Sequence, residues 1–263
     1  MNTDLIYVYC ITNESYEKTV LITFEGVKAF VFGDFIVFGK YVDSNEFSEE
    51  NFKKNLSNIQ WLETNAREHI RVISEMMKTL TVIPFNFGTI YQCEDNLQKF
   101  ILDYEDSLLK NLIHLNEKEE WAVKIYANTK VLKVQIDELS EKAASLEKEI
   151  MASSPGKAFL LNRKKTELIE NEIDRLCKHY GQKYYDVFKN MSVATSLNNL
   201  LPKDYTGRED TMILNANFLL SKNKSAEFIN QVADLTLESV NHGFAIEATG
   251  PWPTFSFISI KEK

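Results

Sequence analysis

Ala152-Ser153-Ser154-Pro155-Gly156 interrupts the longest helical signal in the chain. Upstream of it, Leu132, Ile136, Leu139, Ala143, Leu146 and Ile150 alternate spacings of four and three, a heptad seam of the coiled-coil kind. Serine followed by proline is a cap and first-turn pair, so a second helix begins at once. Its stripe is Phe159, Ile169, Ile173, Leu176 and Tyr180, with Asn162 and Thr166 in the intervening heptad positions. Helices joined by so short a break fold back as an antiparallel hairpin, here about residues 130–184, with each arm burying the other's seam. Asn162 and Thr166 make the second seam polar at its start, so packing should loosen toward the tip.

The flanks place this hairpin in a sheet. Trp121–Tyr126 precedes it as a strand. Ser192–Asn199 and Met212–Leu220 follow as strands, separated by a loop over Leu200–Asp210. Ser225–Asn241 has helical spacing, and Phe244–Ala248 and Phe255–Ile260 read as closing strands. The order β-(helical hairpin)-β-β-α-β is the ferredoxin-like pattern with its first crossover expanded into a hairpin. Asn116-Glu117-Lys118-Glu119-Glu120 is a short charged stretch and marks the domain boundary. The fold class is therefore α+β in two domains: an N-terminal domain, 1–116, and a C-terminal modified ferredoxin-like domain, 121–263.

The N-terminal domain opens with a buried strand at Ile6–Ile11, then short β runs at Thr19–Phe24, Val27–Phe32 and Phe35–Lys40. Gly26 and Gly33 in the connections predict hairpins and a small antiparallel sheet. A helix opens at Ser48 with Phe52, Leu56, Ile59, Leu62, Ala66, Ile70, Ile73 and Met77 on one stripe, breaking once on the way. Thr81–Phe85 is an edge strand because of Pro84. Glu94 to about Leu115 is a helix with Leu97, Ile101, Tyr104, Leu108, Leu112 and Leu115 on one face.

The 263 residues carry 30 basic and 38 acidic side chains, net −8, a balance that disfavours nucleic acid or an anionic membrane as the main partner. Cys10, Cys93 and Cys177 are far apart and form neither a disulfide framework nor a zinc motif, which suits a reducing cytoplasm. No signal peptide or spanning segment is expected.

Candidate chemistry is sparse. Gly156-Lys157-Ala158 lacks the spacing and hydroxyl residue of a phosphate loop, and it starts a helix. His69, His114, His179 and His242 stand apart, with no helical metal-binding pair. His69 near Glu63 and Glu68 is the one conceivable acid/base group, against which stands the lack of a convergent set. Cys10 in a buried strand reads as an inert core residue. No catalytic residue, cofactor site or metal site is expected.

The most distinctive stretch is Thr249-Gly250-Pro251-Trp252-Pro253-Thr254-Phe255-Ser256-Phe257. Two prolines fix the backbone around a tryptophan and make a rigid, chemically inert corner. Such a corner suits binding or scaffolding better than catalysis. Trp61, Trp121 and Trp252 each have the competing reading of a core or interface residue.

Five stretches in order carry a resemblance. They are Trp61…Ala66…His69 with Thr81–Tyr91, Glu120-Trp121-Ala122-Val123-Lys124, Ser154–Lys164, Thr249-Gly250-Pro251-Trp252-Pro253, and the opening Tyr7-Val8-Tyr9. Together they resemble the GvpL/GvpF family of gas vesicle proteins over nearly the whole chain. Three positions depart from that pattern: Asn86 stands for a usual arginine, Cys10 for a glycine and Thr254 for a proline. The resemblance implies a non-enzymatic, cytoplasmic, gas-vesicle-associated accessory or minor structural protein. Its partners would be the small hydrophobic shell protein and other accessory proteins, met during nucleation and assembly. Expected contact residues are Pro251, Trp252, Pro253, Phe87 and Pro155. The alternative is a ferredoxin-like small-molecule-sensing regulatory protein, against which stands the missing glycine-rich ligand loop.

Overall fold

The computed structural model describes residues 5–15 and 24–260. The chain forms two compact units. The first holds the residues through Glu120 together with those from Pro251 onward, and the second is Trp121–Gly250. The last segment, expected in the C-terminal domain, thus packs with the first unit.

The first unit is built on β1 (Leu5–Thr12), buried from Ile6 onward. A strand covered on both faces has no use for a polar alternate face, and this one carries almost none. β2 (Lys28–Phe32) and β3 (Phe35–Val42) form an antiparallel hairpin closed by Phe32 opposite Phe35, and Gly33 at φ 58° supplies its left-handed turn. β3 pairs antiparallel with β1, with a register slip between Val8 and Cys10. Gly39 lies opposite that slip, where a Cβ would stand 2.6 Å from the Tyr7 carbonyl oxygen. The expected run Thr19–Phe24 falls, up to residue 23, outside the described residues.

The helix expected from Ser48 is present with its single break, as α2 (Glu49–Asn55) and α3 (Ile59–Met76), and a short α1 (Ser44–Phe47) that spacing did not reveal precedes it. Side-chain caps start α1 and α3. Asp43 accepts from the Asn45 amide at 2.8 Å, and Asn58 accepts from the Trp61 amide at 3.2 Å. The buried face of α3 is His69, Val72, Ile73 and Met76, displaced by a residue from the expected stripe, and Ile59 is exposed. β4 (Ile83–Pro84) and β5 (Ile90–Tyr91) pair along the other side of β1. α4 (Glu94–Leu115) buries Leu97, Ile101, Leu108, Leu112 and Leu115 as its spacing requires.

The second unit runs from Trp121 in β6 (Lys118–Ala127) through α5 (Thr129–Leu139), α6 (Glu141–Met151), α7 (Pro155–Asn190), β7 (Ala194–Leu197), α8 (Lys203–Thr206), β8 (Thr211–Ser221) and α9 (Ser225–Val240) to Gly250 in β9 (Phe244–Trp252). Strand order is β7-β8-β6-β9, and β7 pairs antiparallel with β8. Tyr184 and Phe188 of α7 and Phe228 and Leu235 of α9 share one core with Trp121, Val123 and Ile125 of β6 and Leu214, Ala216, Phe218 and Leu220 of β8. Gly181 lets α7 approach β8, because a Cβ there would lie 3.2 Å from the Ile213 carbonyl oxygen.

The hairpin's first arm breaks at Ser140, whose side chain caps α6 by accepting from the Ala143 amide at 3.2 Å. Ala143 and Ile169 are buried between the arms, but Phe159, expected on the seam, is 71% exposed. Two further expectations are corrected at the C-terminus. β9 continues as far as Trp252, and Phe255–Phe257 is a short 3-10 turn of the first unit rather than a strand. At the edge position β9 occupies, proline's missing donor costs no ladder bond.

Candidate partner-binding surfaces

The corner after β9 is locked from below. Pro253 and Thr254 are buried, whereas Pro251 and Trp252 are exposed, Trp252 by 42%. The Phe255 amide donates to the Pro253 carbonyl at 2.8 Å and tightens the bend. Ser256 donates its amide and hydroxyl to the Glu120 carboxylate at 3.0 and 2.7 Å. Asn111 accepts from the Ser259 amide at 3.0 Å, and the Ser259 carbonyl accepts from Asn111 Nδ2 at 2.9 Å and from the Ser107 hydroxyl at 3.1 Å. Burial pushes the Glu120 carboxyl above the usual carboxylate range, and the two Ser256 bonds offset only part of that. These contacts make the last segment a strap across α4 and the start of β6.

Beneath the strap lies an aromatic nest centred on His69. Its ring stacks on Phe255 with centroids 6.4 Å apart and meets Phe87 edge-on at 5.7 Å. The polar bonding fixes the tautomer. The Phe85 carbonyl can only accept, so His69 Nε2 carries the proton and donates to it at 2.9 Å. Nδ1 then accepts from the Tyr7 hydroxyl at 2.8 Å, and that hydroxyl accepts from the Gly88 amide at 3.3 Å. Burial lowers the His69 pKa to about 4, so the ring stays neutral near pH 7. Glu68 faces Tyr9 at 2.8 Å and Lys40 at 2.6 Å, while Glu63 pairs with Arg67 on the surface. Burial pushes Glu68 up, but Lys40 and Tyr9 outweigh it and hold the carboxyl below its ordinary range. Glu63, Glu68 and His69 therefore do not converge on a reacting point, and His69 is a structural pin.

Phe87 packs against Tyr7, Phe52, Trp61 and His69, with ring centroids between 5.7 and 6.5 Å apart. Its ring belongs to the nest and the residue is partly buried. Trp61 sits in the same nest and donates its indole N–H to Glu46, and Trp121 is core of the second unit. Pro155 is the exposed first residue of α7, at the hairpin tip. Among the expected contact residues, then, Pro251, Trp252, Pro253 and Phe87 belong to the first unit and Pro155 to the second. Periodicity missed the exposed tip residues Met151, Phe159 and Leu160 and the strap anchors Glu120 and Asn111. The only signal for the tip was the polar start of the second seam.

Among the described residues no group of three His, Cys, Asp or Glu side chains is placed to hold a metal ion, and no helix is long and apolar enough to cross a membrane. Cys10 is buried, and burial pushes its thiol up, which suppresses thiolate chemistry.

The model of the family described as "Gas vesicle synthesis protein GvpL/GvpF" matches residues 5–259. The chain belongs to the GvpL/GvpF family. Gas vesicle protein L of Streptomyces sp. (strain CB03234) is 24% identical over 231 residues, covering 88% of this chain and 82% of the relative. The crystal structure of gas vesicle protein GvpF from Anabaena sp. PCC7120 superposes with a TM-score of 0.74 at 17% identity, covering 98% of this chain and all of that one. GvpF from Microcystis aeruginosa superposes at 0.62 with 15% identity and the same coverage. At these identities the structural matches speak for the fold, a GvpF-like α+β architecture. The family places the chain among gas vesicle accessory proteins.

Proposed function

We propose that this GvpL/GvpF protein is a cytoplasmic, gas-vesicle-associated assembly factor that binds the small shell protein and other accessory proteins during nucleation. The supporting observation is family membership over almost the whole described chain, residues 5–259. The second unit is read as a modified ferredoxin-like domain, on the strength of its βαββαβ order and the strand order β7-β8-β6-β9. A shell protein that builds an apolar-lined wall needs its sticky surfaces covered beforehand. Pro251 and Trp252 suit that task because the Glu120 and Asn111 bonds hold the corner rigid, so little ordering entropy is lost on binding. Pro253 and Phe87, in the same unit, and Pro155 at the hairpin tip complete the set of proposed contact residues.

The test is co-expression with the shell protein followed by affinity pull-down at moderate salt. Recovery of soluble shell protein is expected, with Trp252→Ala lowering it at least tenfold. A well-folded chain that retains neither the shell protein nor any other gas vesicle protein would overturn the reading.

A further inference from the structure

The tip of the helical hairpin combines two features. The first is apolar exposure. Met151 at the end of α6 and Phe159 and Leu160 in the first turns of α7 are exposed by 78%, 71% and 65%. They miss the seam because the arms pack through Ala143 and Ile169 farther down. The second is charge. From Lys148 to Lys165 five cations stand against one carboxylate, Glu149, in a chain of net −8. Lys157 answers Glu149 at 3.0 Å and Lys165 answers Glu147 at 2.8 Å. Lys148, Arg163 and Lys164 enter no ion pair among the described residues. The first turn of α7 contains no acidic residue to balance them.

We infer that this tip docks an acidic amphipathic helix of a partner protein, whose apolar stripe covers Met151, Phe159 and Leu160 while its carboxylates meet Lys148, Arg163 and Lys164. Charge complementarity selects the occupant. An anionic lipid surface would also attract the tip, but it would repel the remainder of the chain, whose net charge is more negative than that of the whole. A helix presents its carboxylates over a few turns only and matches a cationic zone of that size. Apolar exposure on all three tip residues supplies anchors of the kind that fill a helix groove at i, i+3 and i+4 spacing. The inference rests on the assembly-factor reading and adds the chemistry of the partner.

The test uses the full chain and synthetic peptides, so its outcome is independent of whether the shell protein is the partner. A fluorescent peptide with a leucine stripe and glutamates elsewhere is titrated by anisotropy. The comparison probes carry lysine in place of glutamate, or serine in place of leucine. Binding of the acidic leucine peptide is expected, weakening with salt. It should fall at least tenfold in Phe159→Ser/Leu160→Ser and again in Arg163→Glu/Lys164→Glu. Both variants alter exposed residues and should melt as the parent does. No binding of that peptide, equal binding of the lysine peptide, or binding unchanged in both variants overturns the inference. Tip-dependent sedimentation with phosphatidylserine vesicles, without peptide binding, overturns it in favour of a lipid surface.

Discussion

His69 shows what a single residue does in this fold. Its neutral ring joins β1, through Tyr7, to the Phe85 carbonyl, and it carries Phe255 of the strap on its face. The folded pKa of about 4 lies below the ordinary 6.5. The unfolded chain therefore takes up the proton first as pH falls. Stability is fully present above pH 6.5 and is lost as pH drops toward 4, by about 3 kcal/mol in all. Urea unfolding followed across that window should show the slope, and His69→Phe should flatten it while costing ~1–3 kcal/mol at neutral pH by unpairing Tyr7 and Phe85. An unchanged slope in the variant would assign it to other groups. Trp252 is the opposite case. With the residue 42% exposed, Trp252→Ala should leave the melting temperature nearly intact, and a large loss on calorimetry would make it a core residue instead.

At the scale of elements, close backbone approaches decide more than propensity does. Gly39→Val forces a Cβ against the Tyr7 carbonyl oxygen at 2.6 Å, and backbone cannot swing aside, so a loss of ~3 kcal/mol is expected in denaturant melts. Gly156 offers the contrast. It lies in the first turn of α7 with nothing within 4 Å of a Cβ, so Gly156→Ala should stabilise the chain by ~0.5–1 kcal/mol. A destabilised Gly156→Ala would mean that the tip is packed against something. Legibility followed the same division. The stripes of α4 and the course of α7 could be read from spacing, because the apolar residues each helix buries recur along it at helical spacing. The place of the one break, at Asn58, and the short α1 before Ser48 were not, because they depend on Asn58 and Asp43 turning their side chains back to cap, which periodicity does not register.

For the whole molecule the strap is the consequential feature. Deleting the residues after Gly250 removes Phe255 from His69, Ser256 from Glu120 and Ser259 from Asn111, all within the first unit. Hydrogen exchange should then accelerate in β1, α3 and α4 and stay unchanged in β8 and α9. Acceleration confined to the second unit would show that the segment supports β9 instead.

The sequence by itself determined the hairpin, the order of strands and helices around it, the buried first strand and the resemblance to the GvpL/GvpF family. Each of these depends on local spacing or on motifs that survive without knowledge of partners across the chain. Only the tertiary structure decided where Phe255–Phe257 goes, which face of α3 is buried and that Phe159 stands outside the seam. Ser256 and Glu120 are joined by hydrogen bonds across more than half the chain, and His69 can be buried only where Tyr7 and Phe85 arrive to satisfy both ring nitrogens. A polar residue's place inside or outside a core is set by such distant partners, because an unpaired buried polar group costs more than its position in a periodic pattern returns.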